Sequence, residues 1–262
     1  MREAIAERTG VIRNVQEALG GSNSDLAVVV TGASGRTFVK AAPKVSPDED
    51  GRQVRALRRE VAINPCVPEF APRLLWTVET GGWLAVGSEY VEGREADYSP
   101  GSPDLAALTE AIHHLQAIPC PDPVVMRVER RWEALADDVS PMAGNALLHT
   151  DLNPNNLLIT ADQCVYVVDW AFASRGAPWV EVGQVIPWLI HAGHAPAEAE
   201  QWAMQFPSWM DADPVIIDRY VYLTAERWAQ ISAARAAPNV PVNLSLARRW
   251  ASHRQGPHQP NR

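Results

Sequence analysis

Six side chains in this 262-residue chain have types and an order that could do chemistry together. The stretch Leu147–Thr160, LLHTDLNPNNLLIT, breaks an apolar run with His149, Asp151 and three asparagines, then resumes it at Leu157. Thirteen residues after Asn156, Asp169 ends the apolar segment VYVV; far upstream lie Lys40 and Glu60. The reaction such a set could serve is phosphoryl transfer to a hydroxyl. Asp151 would orient the attacking hydroxyl and accept its proton, as a positioned carboxylate can. Asn156 and Asp169 would give oxygen ligands to Mg2+, a hard cation. Lys40 would hold the nonreacting phosphates and Glu60 would hold Lys40; His149 would brace the loop from beneath.

Taken singly, each residue has a plain structural reading. A histidine before a turn is often a satisfied core residue, and Asn155 and Asn156 suit turn backbone. Lys40 could be a solvated strand position, and Glu60 among Arg55, Arg58 and Arg59 could be surface pairing. What favours chemistry is the set, in this order, on elements able to carry it.

Those elements are legible in outline. Leu26–Val30 and Thr37–Ala42 read as strands flanking the turn Thr31–Gly35, with another strand upstream within VIRNVQEAL. Lys40 thus falls in the third strand. A helix over residues 50–63 ends before Asn64-Pro65 and carries Glu60. Two further strands, RLLWTVE and WLAVGSEYV, are joined by Gly81-Gly82. Residues 1–92 therefore read as a small antiparallel sheet with one helix, and residues 93–102 as a linker rich in Gly, Pro and polar groups. Residues 93–262 read as a larger, mostly helical part, with a strand pair around CVYVVDW. The fold class expected is α+β in two lobes, an arrangement that places a ligand between them.

Composition narrows the partners. A net charge of −8 argues against nucleic acid or an anionic membrane, and no apolar stretch reaches the length of a membrane span. The N-terminus lacks the apolar core of a signal peptide. Cys66, Cys120 and Cys164 are widely spaced with no CxxC pair, which reads as free thiols in a cytoplasmic protein. His191 and His194 have no carboxylate or cysteine at zinc-ligand spacing, and His113-His114 reads as one core and one surface residue.

His149-x-Asp151-x4-Asn156 matches the spacing of a kinase catalytic loop. The chain resembles the aminoglycoside phosphotransferase and choline kinase branch of the protein-kinase-like superfamily. HTDLNPNN is similar to that branch's HGDLxxxN, and VDW to its metal-binding IDW. The resemblance runs from about Gly20 to Gly183. It implies a protein-kinase-like fold, ATP as donor with GTP left open, and Mg2+. It also implies a hinge strand Ser88–Val91 whose backbone at Glu89 and Val91 pairs with adenine. Gly21, Ser22, Asn23 and Ser24 would cover the phosphates, where small residues let backbone approach closely. Two departures stand out. Thr150 replaces the usual glycine. GAPWVEVG replaces GDPxxDLA, so Glu181 would brace the loop in place of a shorter aspartate.

The expected activity is an O-phosphotransferase acting on a small hydroxylated molecule, an antibiotic being one candidate. A kinase of peptide Ser or Thr and a nucleotide-binding pseudoenzyme acting through protein contacts are the alternatives. Carboxylates that could grip a polycation are Glu181, Asp211, Asp213, Asp218 and Glu226. Against that stands a C-terminal stretch with arginines and no Asp or Glu after Glu226. Trp179, Trp188, Trp202, Trp209 and Trp228 read mainly as core, with one or two free to line an acceptor site.

Overall fold

The computed structural model describes residues 1–18, 25–67, 70–234 and 237–256. The expected phosphate loop, Gly20–Ser24, lies outside the described residues. Two compact units emerge: 1–96 with 121–124 and 155–173, and 97–120 with 125–154 and 174–262.

In the first unit, five antiparallel strands run β1 (Asn14–Glu17), β2 (Leu26–Gly32), β3 (Gly35–Pro43), β4 (Leu74–Thr80) and β5 (Trp83–Glu89) in the order β1-β2-β3-β5-β4. The β2–β3 hairpin closes on Ala33-Ser34 with Gly32 opposite Gly35. Gly81 and Gly82, both at positive φ, make the β4–β5 turn. Alternation along β3 divides its side chains between the two faces. Val39 packs with Val28 and Val30, whereas Ala42 packs with Leu84 and Val86 against helix α2 (Arg52–Ile63) through Val54 and Leu57. Lys40 shares the face of Ala42, so it points toward α2.

The opposite face carries an element with no visible signature in the sequence. Helix α1 (Arg2–Thr9) docks there through Ile5. REAIAERT has too few apolar residues to show a helical period, and what fixes it is tertiary. The Thr9 carbonyl accepts from the amide and hydroxyl of Ser34, at 3.4 and 3.0 Å. Gly32 is needed there because a Cβ would stand 2.1 Å from that same oxygen.

Three short strands complete this unit. β6 (Gly93–Glu95) pairs with β8 (Leu157–Thr160), which pairs with β9 (Val165–Val167). The start of the expected linker is thus a strand: Gly93 lies so close to the Ile159 backbone that a Cβ would meet its oxygen at 3.0 Å. Its three exposed residues, GRE, gave no apolar alternation to read.

The second unit is mainly helical: α3 (Asp104–Ala117), α4 (Pro178–His191), α5 (Pro196–Ala203), α6 (Pro207–Met210), α7 (Pro214–Ala234) and α8 (Val240–Gln255). Its two strands, β7 (Ala146–Leu148) and β10 (Ser174–Gly176), pair antiparallel. Trp179, Trp209 and Trp250 are buried around Tyr220, whose ring lies 5.2 Å from that of Trp179 and 6.2 Å from that of Trp250. Trp188, Trp202 and Trp228 are only half-buried. His113 and His114 are both exposed, which corrects the expectation of one core residue; α3 buries Leu108, Ala111, Ile112 and Leu115 instead. No helix among the described residues is long and apolar enough to cross a membrane.

Candidate active site

In the first unit the structure brings Lys40, Glu60 and Asp169 together. Lys40 Nζ donates to Glu60 Oε1 and Oε2 at 3.0 and 2.9 Å and to Asp169 Oδ1 at 3.2 Å. Glu60 arrives one helical turn after Leu57, the residue that anchors α2 on the sheet. Burial alone would lower the Lys40 pKa. Glu60 and Asp169 outweigh it, so the pKa stands above the usual lysine value and the ammonium stays charged. Burial pushes the Glu60 carboxyl up, against the pull of Lys40.

Asp169 follows β9 in left-handed backbone, φ 63° and ψ 60°, at the entry to a 3-10 turn, Trp170–Phe172. Several bonds hold that turn. Arg59 Nε donates to the Ala171 carbonyl at 2.8 Å, Trp170 Nε1 to Val167 at 2.9 Å, and the Val167 amide to Phe70 at 2.7 Å. Arg59 therefore ties α2 to the turn that carries Asp169. The β8–β9 register sets Leu157 opposite Val167, and the Val168 amide donates to the Asn156 carbonyl at 2.9 Å. Asn156, just before β8, and Asp169, two residues after β9, thus lie at the same end of this strand pair.

Magnesium fits this donor set. Both residues offer oxygen, the ligand atom Mg2+ prefers, and the Asp169 carboxylate already binds a cation in the Lys40 ammonium. No group of three or more His, Cys, Asp or Glu side chains that could hold a metal ion forms among the described residues.

In the second unit lies the loop of His149, Thr150 and Asp151. His149 is fully buried, and its Nδ1 accepts the Asp151 amide at 3.3 Å. The Asn153 side chain donates to Asp151 Oδ1 at 3.1 Å and its amide to the Asp151 carbonyl at 2.8 Å. Glu181, in the first turn of α4 and fully buried, takes the Thr150 amide on both oxygens at 3.1 and 3.0 Å and also the His149 amide. The longer carboxylate does reach the loop backbone. Asn153 and Arg131 contact the loop without having been singled out in the sequence. Asn153 was hidden among turn asparagines, and Arg131 lies in no motif.

Burial raises the Glu181 pKa to about 7, although the two loop amides and Arg131 oppose the rise. A carboxyl with a folded-state pKa above its unfolded value keeps a proton that the unfolded chain releases. Stability conferred by this site is therefore fullest below the unfolded pKa and falls as pH rises toward 7. Glu181→Gln removes the titration. Its melting temperature should decline less between about pH 5 and 7 than that of wild type, in which Glu60 and Glu181 both titrate; parallel profiles would contradict the assignment.

The other candidate acidic side chains, Asp211, Asp213, Asp218 and Glu226, are exposed. Asp218 accepts from Arg254 Nε at 2.5 Å, and Asp213 caps the Val215 amide at 2.9 Å. They behave as helix faces and caps. Glu89, at the end of β5, donates its amide to the Arg73 carbonyl at 2.9 Å. Between it and Val91, the Tyr90 ring lies 4.3 Å beneath the Arg36 guanidinium.

Known proteins share this fold. The model of the phosphotransferase enzyme family, APH, matches residues 95–214. That match spans the loop of Asp151, Asn156 and Asp169 at the end of the β8–β9 pair, and α4 with Glu181. No curated protein matches the sequence. Choline kinase LicA from Streptococcus pneumoniae superposes with a TM-score of 0.63 at 14% identity, over 96% of this chain and 98% of that one. The AMP-bound spectinomycin phosphotransferase APH(9)-Ia gives 0.61 at 9% identity, over 95% and 96%. An aminoglycoside phosphotransferase from Alicyclobacillus acidocaldarius subsp. acidocaldarius DSM 446 gives 0.50 at 16%, over 97% and 93%. The chain has the protein-kinase-like fold, and its resemblance to the aminoglycoside phosphotransferase and choline kinase family holds. The family match supports phosphotransferase activity.

Proposed function

We propose that the protein transfers the γ-phosphoryl group of ATP to a hydroxyl of a small molecule. The observation that carries this reading is the Lys40 ammonium held between Glu60 and Asp169. A buried lysine fixed by two carboxylates is a poor device for stability, because burying charges costs much of what pairing returns. It is a good device for presenting a fixed positive charge to phosphate. Residues 1–92 would bind the nucleotide, with the backbone at Glu89 and Val91 pairing with adenine and Gly20–Ser24 as the expected phosphate loop. Residues 93–262 would bind the acceptor and act on it.

Asn156 and Asp169 would hold Mg2+, which would supply neutralisation of phosphate charge. Asp151 orients the acceptor hydroxyl and takes its proton; His149, Asn153 and Glu181 fix the loop that presents it. Catalysis in this scheme comes from positioning and charge, as phosphoryl transfer requires. The exposed, scattered carboxylates favour a small hydroxylated acceptor without a polycationic grip. The three free thiols fit a cytoplasmic setting.

Lys40→Ala should weaken Mg–ATP binding by roughly tenfold or more, since a charge-assisted bond to phosphate is lost. Calorimetric titration of wild type and variant checks this, and equal affinities would remove Lys40 from the site. A screen of choline, spectinomycin and other hydroxylated compounds as acceptors, with γ-labelled ATP, tests the activity itself. Nucleotide binding without transfer to any of them would favour the pseudoenzyme.

A further inference from the structure

Residue 150 sits immediately before the proposed base, and its backbone is unusual. Thr150 has φ 67°, one of three non-glycine positive values among the described residues. A β-branched residue avoids this region, whereas the glycine of the related HGDLxxxN pattern enters it freely. Something must hold Thr150 there. Glu181 engages its amide. Its hydroxyl accepts a 2.6 Å bond from Arg131 Nη2, and the same nitrogen reaches Ser174 Oγ at 3.3 Å. Arg131 Nη1 donates to Gln184 Oε1, also at 3.3 Å. The arginine closes a short turn, Val128–Arg131, whose Val128 is fully buried, and Trp132 beside it packs on Tyr220 with ring centroids 5.2 Å apart. The guanidinium is therefore anchored at its backbone and at three side-chain acceptors. One of those is the only hydroxyl that the catalytic loop owns between His149 and Asn156.

We propose that Arg131 is a positioning residue for phosphoryl transfer: by bonding the Thr150 hydroxyl it holds residue 150 in left-handed backbone and so aims Asp151. The inference rests on the reading of Asp151 as the base. Threonine in place of glycine removes the backbone freedom of this position, and the arginine supplies the missing constraint from the side chain. The two residues then form a unit, and the loss of one should matter far less once the other has been made unnecessary.

The test is a double-mutant cycle read in transfer rate, Mg–ATP affinity and melting temperature, with γ-labelled ATP and the acceptor panel, water included. Arg131→Met should lower kcat by about 10²-fold, the scale of a small misplacement of a reacting group, and leave Mg–ATP affinity unchanged. Adding Thr150→Gly should recover most of that loss, because glycine takes the required φ unaided. Thr150→Val keeps the shape and deletes the hydroxyl, so it should lose more rate than Thr150→Ser. The proposal is overturned if the glycine fails to rescue, or if folded Arg131→Met turns over at the wild-type rate with only its melting temperature lowered. Should Arg131→Met fail to fold, the Thr150 pair decides, and equal losses in Val and Ser overturn it. Asp151→Asn in the wild-type background separates the two claims. If it has no effect, the base assignment falls; if it slows transfer while Arg131→Met does not, only the positioning role falls.

Discussion

Asp151→Asn should lower phosphoryl transfer by roughly 10²–10⁴-fold, the usual contribution of a general acid–base group, with little change in ATP affinity. The asparagine keeps the shape of the side chain and can still hydrogen-bond with Asn153, so the loop should survive. What disappears is the ability to accept the hydroxyl proton. His149→Ala should behave differently. His149 is fully buried and takes the Asp151 amide on Nδ1, so its removal leaves a cavity beneath the loop and an amide without its acceptor. Stability and rate should fall together. Melts and rates measured side by side distinguish these patterns. An Asp151→Asn protein that melts early yet transfers at the wild-type rate when folded would make Asp151 a turn former and nothing more.

Asp169→Ala should have an effect of similar size, reached by another route. The substitution deletes a carboxylate that would hold Mg2+ and also one of the two acceptors fixing Lys40. Nucleotide binding should lose its dependence on Mg2+, and nearly all transfer should go with it. Asn156→Ala removes a neutral oxygen donor while its backbone bond to Val168 remains, so its loss should be the smaller of the two. Titrations of ATP with and without Mg2+ give the comparison. Equal and small effects would take the metal away from this pair.

The chemistry-bearing residues were readable because their signals are local or periodic. Lys40 on a strand and Glu60 on the next helix follow from alternation along β3 and helical spacing on α2, and HTDLNPNN states its own spacing. That Lys40 meets both Glu60 and Asp169 is a matter of packing. It depends on Ala42, Leu57, Leu84 and Val86 seating α2 on the sheet, and on Arg59 reaching the Ala171 carbonyl. Helix α1 was not readable, since one isoleucine and a carbonyl contact to the β2–β3 turn carry it. Strand β6 was masked by linker composition. Arg131 escaped notice for the same kind of reason: an arginine in VERRW has no pattern to betray it, and its partner Thr150 is visible in the sequence only as a departure from the usual glycine. Only backbone conformation shows that the exchange needs support.

The central claim is transfer, with Asp151 as the base, and one measurement addresses both parts. Wild type and Asp151→Asn, each saturated with Mg2+ and ATP labelled on the γ-phosphate, are incubated with the hydroxylated acceptor panel, and labelled product is counted. Label should appear on an acceptor with wild type and fall by roughly 10²-fold or more with the variant, while both bind nucleotide equally. Equal labelling by the two proteins, or nucleotide bound by wild type with no label on any acceptor, would contradict the account.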